Sequence, residues 1–202
     1  MSGFDAETLA FYASEAPVYT ASGPQGEARH LAAFLERLQP GAVILELGCG
    51  GGRDAEYMIS KGFVVEPTDG VPEIATQAEA RLGRSVQVMQ FHELTAEGQY
   101  DAVVASASLL HVPRVGLTEI LGRIWRALKP GAWHVASFKG GGIEGRDGFG
   151  RYFNYLSRAE LEGYYVAAGS WSLIEIGEAM GGGYDGKQGP WLQITLQKAH
   201  VI

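Results

Sequence analysis

Beyond Pro40-Gly41 the chain switches regularly between two spacings of apolar residues. Val43, Leu45 and Leu47 alternate with Ile44 and Glu46, the period-two pattern of a strand. Similar runs at 63–68, 85–90, 100–106 and 132–138 predict four more strands. Between them, residues 54–61, 72–82 and 113–128 carry apolar positions at helical spacing, with Pro72 preset for a first turn and Lys129-Pro130-Gly131 as a stop. Strand and helix in strict alternation predict a parallel sheet with helices on both faces. Two amphipathic stretches precede it, Asp5 to Ser14 and Glu27 to Leu38, separated by a loop with Pro17, Gly23 and Pro24.

The rhythm breaks at the glycine-rich stretch Lys139 to Gly150. Ser157-x-x-Glu160 then reads as a capping box for a helix reaching Ala168 and ending at Gly169. Trp171 to Glu178 and Trp191 to Lys198 are strand-like, with a Gly-rich connection and no helix between them. They are expected to pair antiparallel and bring the sheet to seven strands. No internal repeat interrupts this plan, and a single domain is expected.

Chemistry concentrates where the first strand ends, in Glu46-Leu47-Gly48-Cys49-Gly50-Gly51-Gly52-Arg53-Asp54. Glycines at 48, 50 and 52 strip the turn of Cβ atoms, so the chain can bend sharply and a ligand can lie on bare backbone. Amides opening the next helix favour an anionic or accepting group there. The second strand ends at Asp69, about 20 residues beyond Gly48, the distance at which a carboxylate grips ribose hydroxyls. A nucleoside cofactor is therefore expected.

The dinucleotide fingerprint places a glycine where Arg53 stands if the count starts at Gly48, and strands Gly48 and Cys49 if it starts at Gly50. Acid-x-Gly-x-Gly-x-Gly instead resembles the first motif of the class I S-adenosylmethionine-dependent methyltransferases. The resemblance covers about residues 43 to 138 and, more loosely, the final hairpin. Gly48 to Ala55 and Asp69-Gly70-Val71-Pro72-Glu73 look most like the small tellurite-resistance-type and thiopurine-type branch. It implies a Rossmann-like doubly wound α/β sheet of seven strands with an antiparallel C-terminal hairpin, and S-adenosyl-L-methionine as cofactor. It also implies a methyl transfer to a small-molecule acceptor. Gly48, Cys49, Gly50 and Arg53 would wrap the cofactor's amino-acid portion, Glu46 would hold its ammonium through the loop, and Asp69 with Gly70 would take the ribose. Phe91 and His92 stand where the family contacts adenine, although His92 replaces the usual aspartate. Ser106 ends the strand that runs under the cofactor. Residues 1–41 would cap the site, with Tyr12 and Tyr19 folding over it or simply packing in the core.

Bulk properties narrow the choice. The apolar fraction is 46% and the charged fraction 19%, values of a globular chain able to bury a full core. The net charge of −7 and the lack of a Lys/Arg run argue against a nucleic-acid surface. The Asn/Asp-Pro-Pro-aromatic motif of base methyltransferases is absent from Ser106 to His111. No membrane-length apolar run or basic leader is present, and the single cysteine suits a reducing compartment, so a cytoplasmic monomer or homodimer is expected. No His, Cys or carboxylate cluster has metal-ligand spacing.

His111, just past the fourth strand, is a candidate general base or substrate contact, or alternatively a packing residue before the next helix. Arg146 and Arg151 could converge on an anionic substrate, or pair with neighbours to fix their loop. Two other functions stay open: a non-catalytic S-adenosylmethionine binder, and an NAD-dependent oxidoreductase, for which no Tyr-x-x-x-Lys pair is found.

Overall fold

The computed structural model describes residues 4–22 and 31–200. Seven strands form one sheet: β1 (Val43–Leu47), β2 (Val64–Asp69), β3 (Gln87–Val88), β4 (Tyr100–Ala105), β5 (Leu128–Lys139), β8 (Trp171–Gly182) and β9 (Gln188–Lys198). Their spatial order is β3-β2-β1-β4-β5-β9-β8. All pairings are parallel except β5 with β9 and β9 with β8. β6 (Gly145–Arg146) and β7 (Tyr152–Phe153) make a separate small hairpin. The expected sheet is the observed one.

Helices α3 (Arg53–Ser60), α4 (Pro72–Leu82) and α5 (Arg114–Ala127) connect the parallel strands, and α6 (Arg158–Ala168) follows the small hairpin. Apolar faces of the sheet and helices make two main cores. One joins Leu45, Val103, Leu117, Ile124, Phe138 and Tyr165, and the other Ile44, Met58, Val65, Val104 and Val135. The capping box at Ser157 forms as expected: its hydroxyl accepts from Glu160 N at 3.3 Å, and Glu160 Oε2 accepts from Ser157 N at 2.8 Å.

Several boundaries differ from the sequence pattern: β8 runs on to Gly182 rather than Glu178 and β9 starts at Gln188 rather than Trp191, because the two pair along their whole length. Helix α1 runs Ala6–Ala21 straight through Pro17, which costs one backbone bond. Burial of Thr8, Ala16 and Thr20 holds it, and Thr20 Oγ1 donates to the Ala16 carbonyl at 2.8 Å. Of the second leading helix only α2 (Ala32–Leu35) is helical among described residues; Gly23, Pro24 and residues 27–30 lie outside them. β3 is two residues long because it pairs with β2 only at Thr68↔Gln87 and Asp69↔Val88. β5 starts at Leu128, not Ala132, since the Pro130-Gly131 step is absorbed as an irregularity in the register with β4.

Candidate active site

At the carboxyl ends of β1, β2, β4 and β5 a cavity of about 1110 Å³ opens, the place where open α/β sheets take ligands. Its floor is the turn after β1. Gly48 has φ +73° and a Cβ there would lie 2.5 Å from the Ser108 Cβ, so only glycine fits. The turn is fastened from below: Gly48 N and Cys49 N both donate to the Thr68 carbonyl at 2.9 Å.

Asp69 is 8% exposed and ties the turn to the start of α4. Its Oδ2 accepts from Gly50 N and its Oδ1 from Val71 N, each at 3.0 Å. One lone-pair position on each oxygen remains for further donors. Burial raises its pKa to about 6, against the opposing pull of the Val71, Gly50 and Gly70 amides. Glu46 is 2% exposed, and its Oε2 has no hydrogen-bond partner. Burial, with the charges of Asp54 and Asp69 nearby, holds its pKa well above the carboxylate range. An unsatisfied buried carboxyl bordering a cavity is a strong acceptor waiting for a donor. Cys49 is buried, and burial pushes its thiol up, so it is no nucleophile.

The roof is α1, pinned at three places. At its start Arg146 donates to Asp5 Oδ1 at 2.9 Å and Oδ2 at 2.8 Å, and this guanidinium lowers the Asp5 pKa to about 2. At its end the Arg53 guanidinium donates to the Thr20 carbonyl at 3.0 Å and to that of Ser22. In the middle, the Tyr12 hydroxyl lies 2.8 Å from His111 Nε2 and accepts from Arg151 Nη1 at 3.1 Å. His111 Nδ1 lies 2.6 Å from the Tyr152 carbonyl, which can only accept. The proton therefore sits on Nδ1, and Nε2 takes its bond from Tyr12. Burial lowers the His111 pKa to about 4 and raises that of Tyr12, so both are neutral.

The cavity wall includes Tyr12, Tyr19, Glu46, Gly48, Cys49, Gly50, Arg53, Asp69, Gly70, Phe91, Ser106, His111 and Arg151. Two sequence candidates are not brought to it. His92 stacks on Phe4 with ring centroids 5.6 Å apart, and Gln90 takes the cavity-facing position beside Phe91. Gln90 Oε1 is buried without a partner. Arg146 points out to Asp5 and Glu7, so it does not converge with Arg151 on an anion. Arg151 is 2% exposed and already paired with Asp147 Oδ2 at 2.6 Å. Lys139, Phe153, Tyr184 and Trp191, which sequence reading does not single out, also line the cavity. Their only signal was the position of their segments after β5.

Residues 44–131 match the family model described as a methyltransferase domain. That stretch, under half of the chain, runs from β1 to the start of β5. The chain is 32% identical over 110 residues to an uncharacterised methyltransferase of Synechocystis sp., covering 52% of each. It is 40% identical over 98 residues to a ubiquinone biosynthesis O-methyltransferase of Xanthomonas oryzae pv. oryzae, covering 45% of this chain and 40% of that one. The chain thus spans about half the length, or less, of these curated relatives. In three dimensions it is similar to a Burkholderia thailandensis 1,6-didemethyltoxoflavin-N1-methyltransferase crystallised with 1,6-didemethyltoxoflavin and S-adenosylhomocysteine. The TM-score is 0.75 at 22% identity, covering 96% of this chain and 88% of that one. That likeness shows the fold alone, a Rossmann-like, mostly parallel α/β sheet.

Proposed function

We propose that the protein is an S-adenosylmethionine-dependent methyltransferase acting on a small-molecule acceptor. The observation that carries the reading is the pair of buried carboxyls around one bare turn. Glu46 lacks a donor, and Asp69 keeps acceptor capacity beside Gly50 and Gly70. An ammonium satisfies Glu46 and restores its charge, and two vicinal hydroxyls satisfy Asp69. Phe91 and Gln90 offer a flat apolar face and a free amide oxygen for an adenine ring and its amino group.

When bound, S-adenosylmethionine supplies a methyl carbon on a positively charged sulfur. The chain's task is then alignment and exclusion of water. Helix α1 covers the glycine turn, with Tyr19 Cε1 3.9 Å from where a Gly50 Cβ would sit. Tyr12 is held by His111 and Arg151, so its hydroxyl is a fixed group at the acceptor end. His111 Nε2 already accepts a hydrogen bond from the Tyr12 hydroxyl. It serves as a base only if Tyr12 yields its place to an acceptor hydroxyl or amine. Arg151 belongs to the framework of the site through Asp147, and Arg146 to the anchoring of α1.

As part of the same proposal, the motif pattern keeps the tellurite-resistance and thiopurine-type branch as the nearest group. The acidic balance and absent base-methylation motif argue against action on nucleic acid, and a cytoplasmic monomer or homodimer remains part of the proposal. No described helix is long and apolar enough to cross a membrane.

Calorimetric titration with S-adenosylmethionine and S-adenosylhomocysteine tests the reading. Both bind, and Asp69→Ala weakens both by about 1–3 kcal/mol through lost ribose bonds. NAD bound in their place, or equal affinity in wild type and variant, overturns it. Binding without transfer to any of a broad acceptor panel points instead to a non-catalytic binder.

A further inference from the structure

Three cationic side chains among the described residues border the cavity besides the neutral His111: Arg53, Arg151 and Lys139. Two are fully engaged by the protein. Arg53 donates to the Thr20 and Ser22 carbonyls. Arg151 is held by Asp147 through Nε at 3.0 Å and Nη2 at 2.6 Å, and by Tyr12. Its guanidinium also lies 5.0–5.7 Å from the rings of Phe11, Tyr12, Phe149, Phe153 and Tyr184.

Lys139 is different. It ends β5, its side chain is 14% exposed, and its Nζ stands 4.6 Å over the Phe153 ring. Its ionic neighbour, Asp185 Oδ1, is 3.7 Å away, outside hydrogen-bond range. No described oxygen accepts from this ammonium. Gly183 makes room for it, since a Cβ there would come within 2.6 Å of Nζ. A nearly buried ammonium with three donors and no acceptor is costly unless something enters to accept from it. Around it stand Phe153, Tyr184 and Trp191, rings able to lie against a flat ligand.

From this end of the cavity we infer the acceptor's class: a flat aromatic or heteroaromatic molecule carrying an anionic oxygen, recognised by Lys139. The same residues disfavour a cationic acceptor. The ring cluster that would attract it is already filled by Arg151, and Lys139 adds a second positive charge beside it. An anion at Lys139 also sits in a cavity that accommodates a sulfonium, so opposite charges are brought together. The inference rests on the methyltransferase reading, and Lys139 acts in it as a specificity-determining residue.

The test uses three probes of one shape and three charges: 4-hydroxybenzoate, 4-hydroxybenzamide and 4-hydroxybenzylamine. S-adenosylhomocysteine binding is measured first, because its absence overturns the cofactor reading independently. On protein saturated with S-adenosylhomocysteine, the anion binds tightest and the cation weakest, each step on the order of tenfold. Lys139→Met abolishes the charge preference while leaving S-adenosylhomocysteine affinity unchanged, and Lys139→Arg keeps it. Asp185→Asn, which removes the competing carboxylate, strengthens anion binding. No binding of the anion, a preference for the benzylamine, or an unchanged preference in Lys139→Met overturns the inference and leaves the cofactor reading standing.

Discussion

Two histidines in this molecule are wired alike and placed differently. His134, in the middle of β5, lies 2.8 Å from the Val103 carbonyl through Nδ1 and 2.8 Å from the Tyr165 hydroxyl through Nε2. His111 makes the same two bonds, to the Tyr152 carbonyl and the Tyr12 hydroxyl. In each the carbonyl fixes the proton on Nδ1 and a tyrosine donates to Nε2. Burial lowers both pKa values to about 4. Yet His134 and Tyr165 are each 0% exposed within the core, packed with Trp171. His111 and Tyr12 line the cavity, and Tyr12 comes from a different part of the chain. A shifted pKa therefore does not find the active site here. What separates the two pairs is whether a hydroxyl meets space that a ligand can enter.

Substitutions should separate the pairs. His134→Ala, which leaves the Val103 carbonyl and the Tyr165 hydroxyl unpaired around a hole, is expected to cost about 3–4 kcal/mol of folding stability. Denaturant melts would read this, and the folded fraction should bind S-adenosylhomocysteine as wild type does. A loss of that affinity would break the comparison by making the core pair part of the site.

Acid should act on both pairs in the same direction. The unfolded histidines take up protons below about pH 6.5, while the folded ones resist until about pH 4. Stability is thus full above about pH 6.5 and falls between 6.5 and 4, by on the order of 1–3 kcal/mol per histidine. Asp69 works the other way in protein free of cofactor. With its folded pKa raised to about 6, its unfavourable term eases as pH falls below 6. Thermal melts from pH 8 to 4 should show a net decline, shallower in His111→Gln. A flat profile would mean the imidazoles are not held neutral.

Tyr12→Phe should give a smaller, more selective effect. It removes a donor from His111 and an acceptor from Arg151, and is expected to cost about 1–2 kcal/mol in kcat/KM, roughly tenfold. Tyr165→Phe should leave kcat/KM unchanged and lower stability by about 1 kcal/mol. Steady-state kinetics on an accepted substrate would decide between them. Equal kinetic losses in both would show that the hydroxyls act through the fold rather than at the site.

Reading the chain alone reached the cofactor end of the cavity better than the other end. Glu46, the glycines after it and Asp69 are close in sequence, and strand and turn periodicity fix where each one points. His92 shows the limit: Gln90 and His92 are two residues apart and would share a face on a strand, but β3 ends at Val88 and Phe91–Glu93 form a 3-10 turn, so only Gln90 lines the cavity. Arg146 and Arg151 share a flexible-looking loop, yet β6 pairs with β7 and sends one guanidinium to Asp5 and the other to Asp147. Pro17 read as a breaker, but tertiary packing of α1 outweighed one missing amide.

The order of strands and helices, the bare turn after β1 and the carboxylate after β2 were determined by sequence, because period, glycine and spacing act within a few residues. The tertiary structure alone decided which tyrosine meets which histidine, and that Lys139 is left without an acceptor. Tyr12 and His111 stand 99 residues apart, and neither the cavity they share nor the ammonium bordering it without a hydrogen-bond acceptor exists until the sheet, α1 and the β8–β9 hairpin close around it.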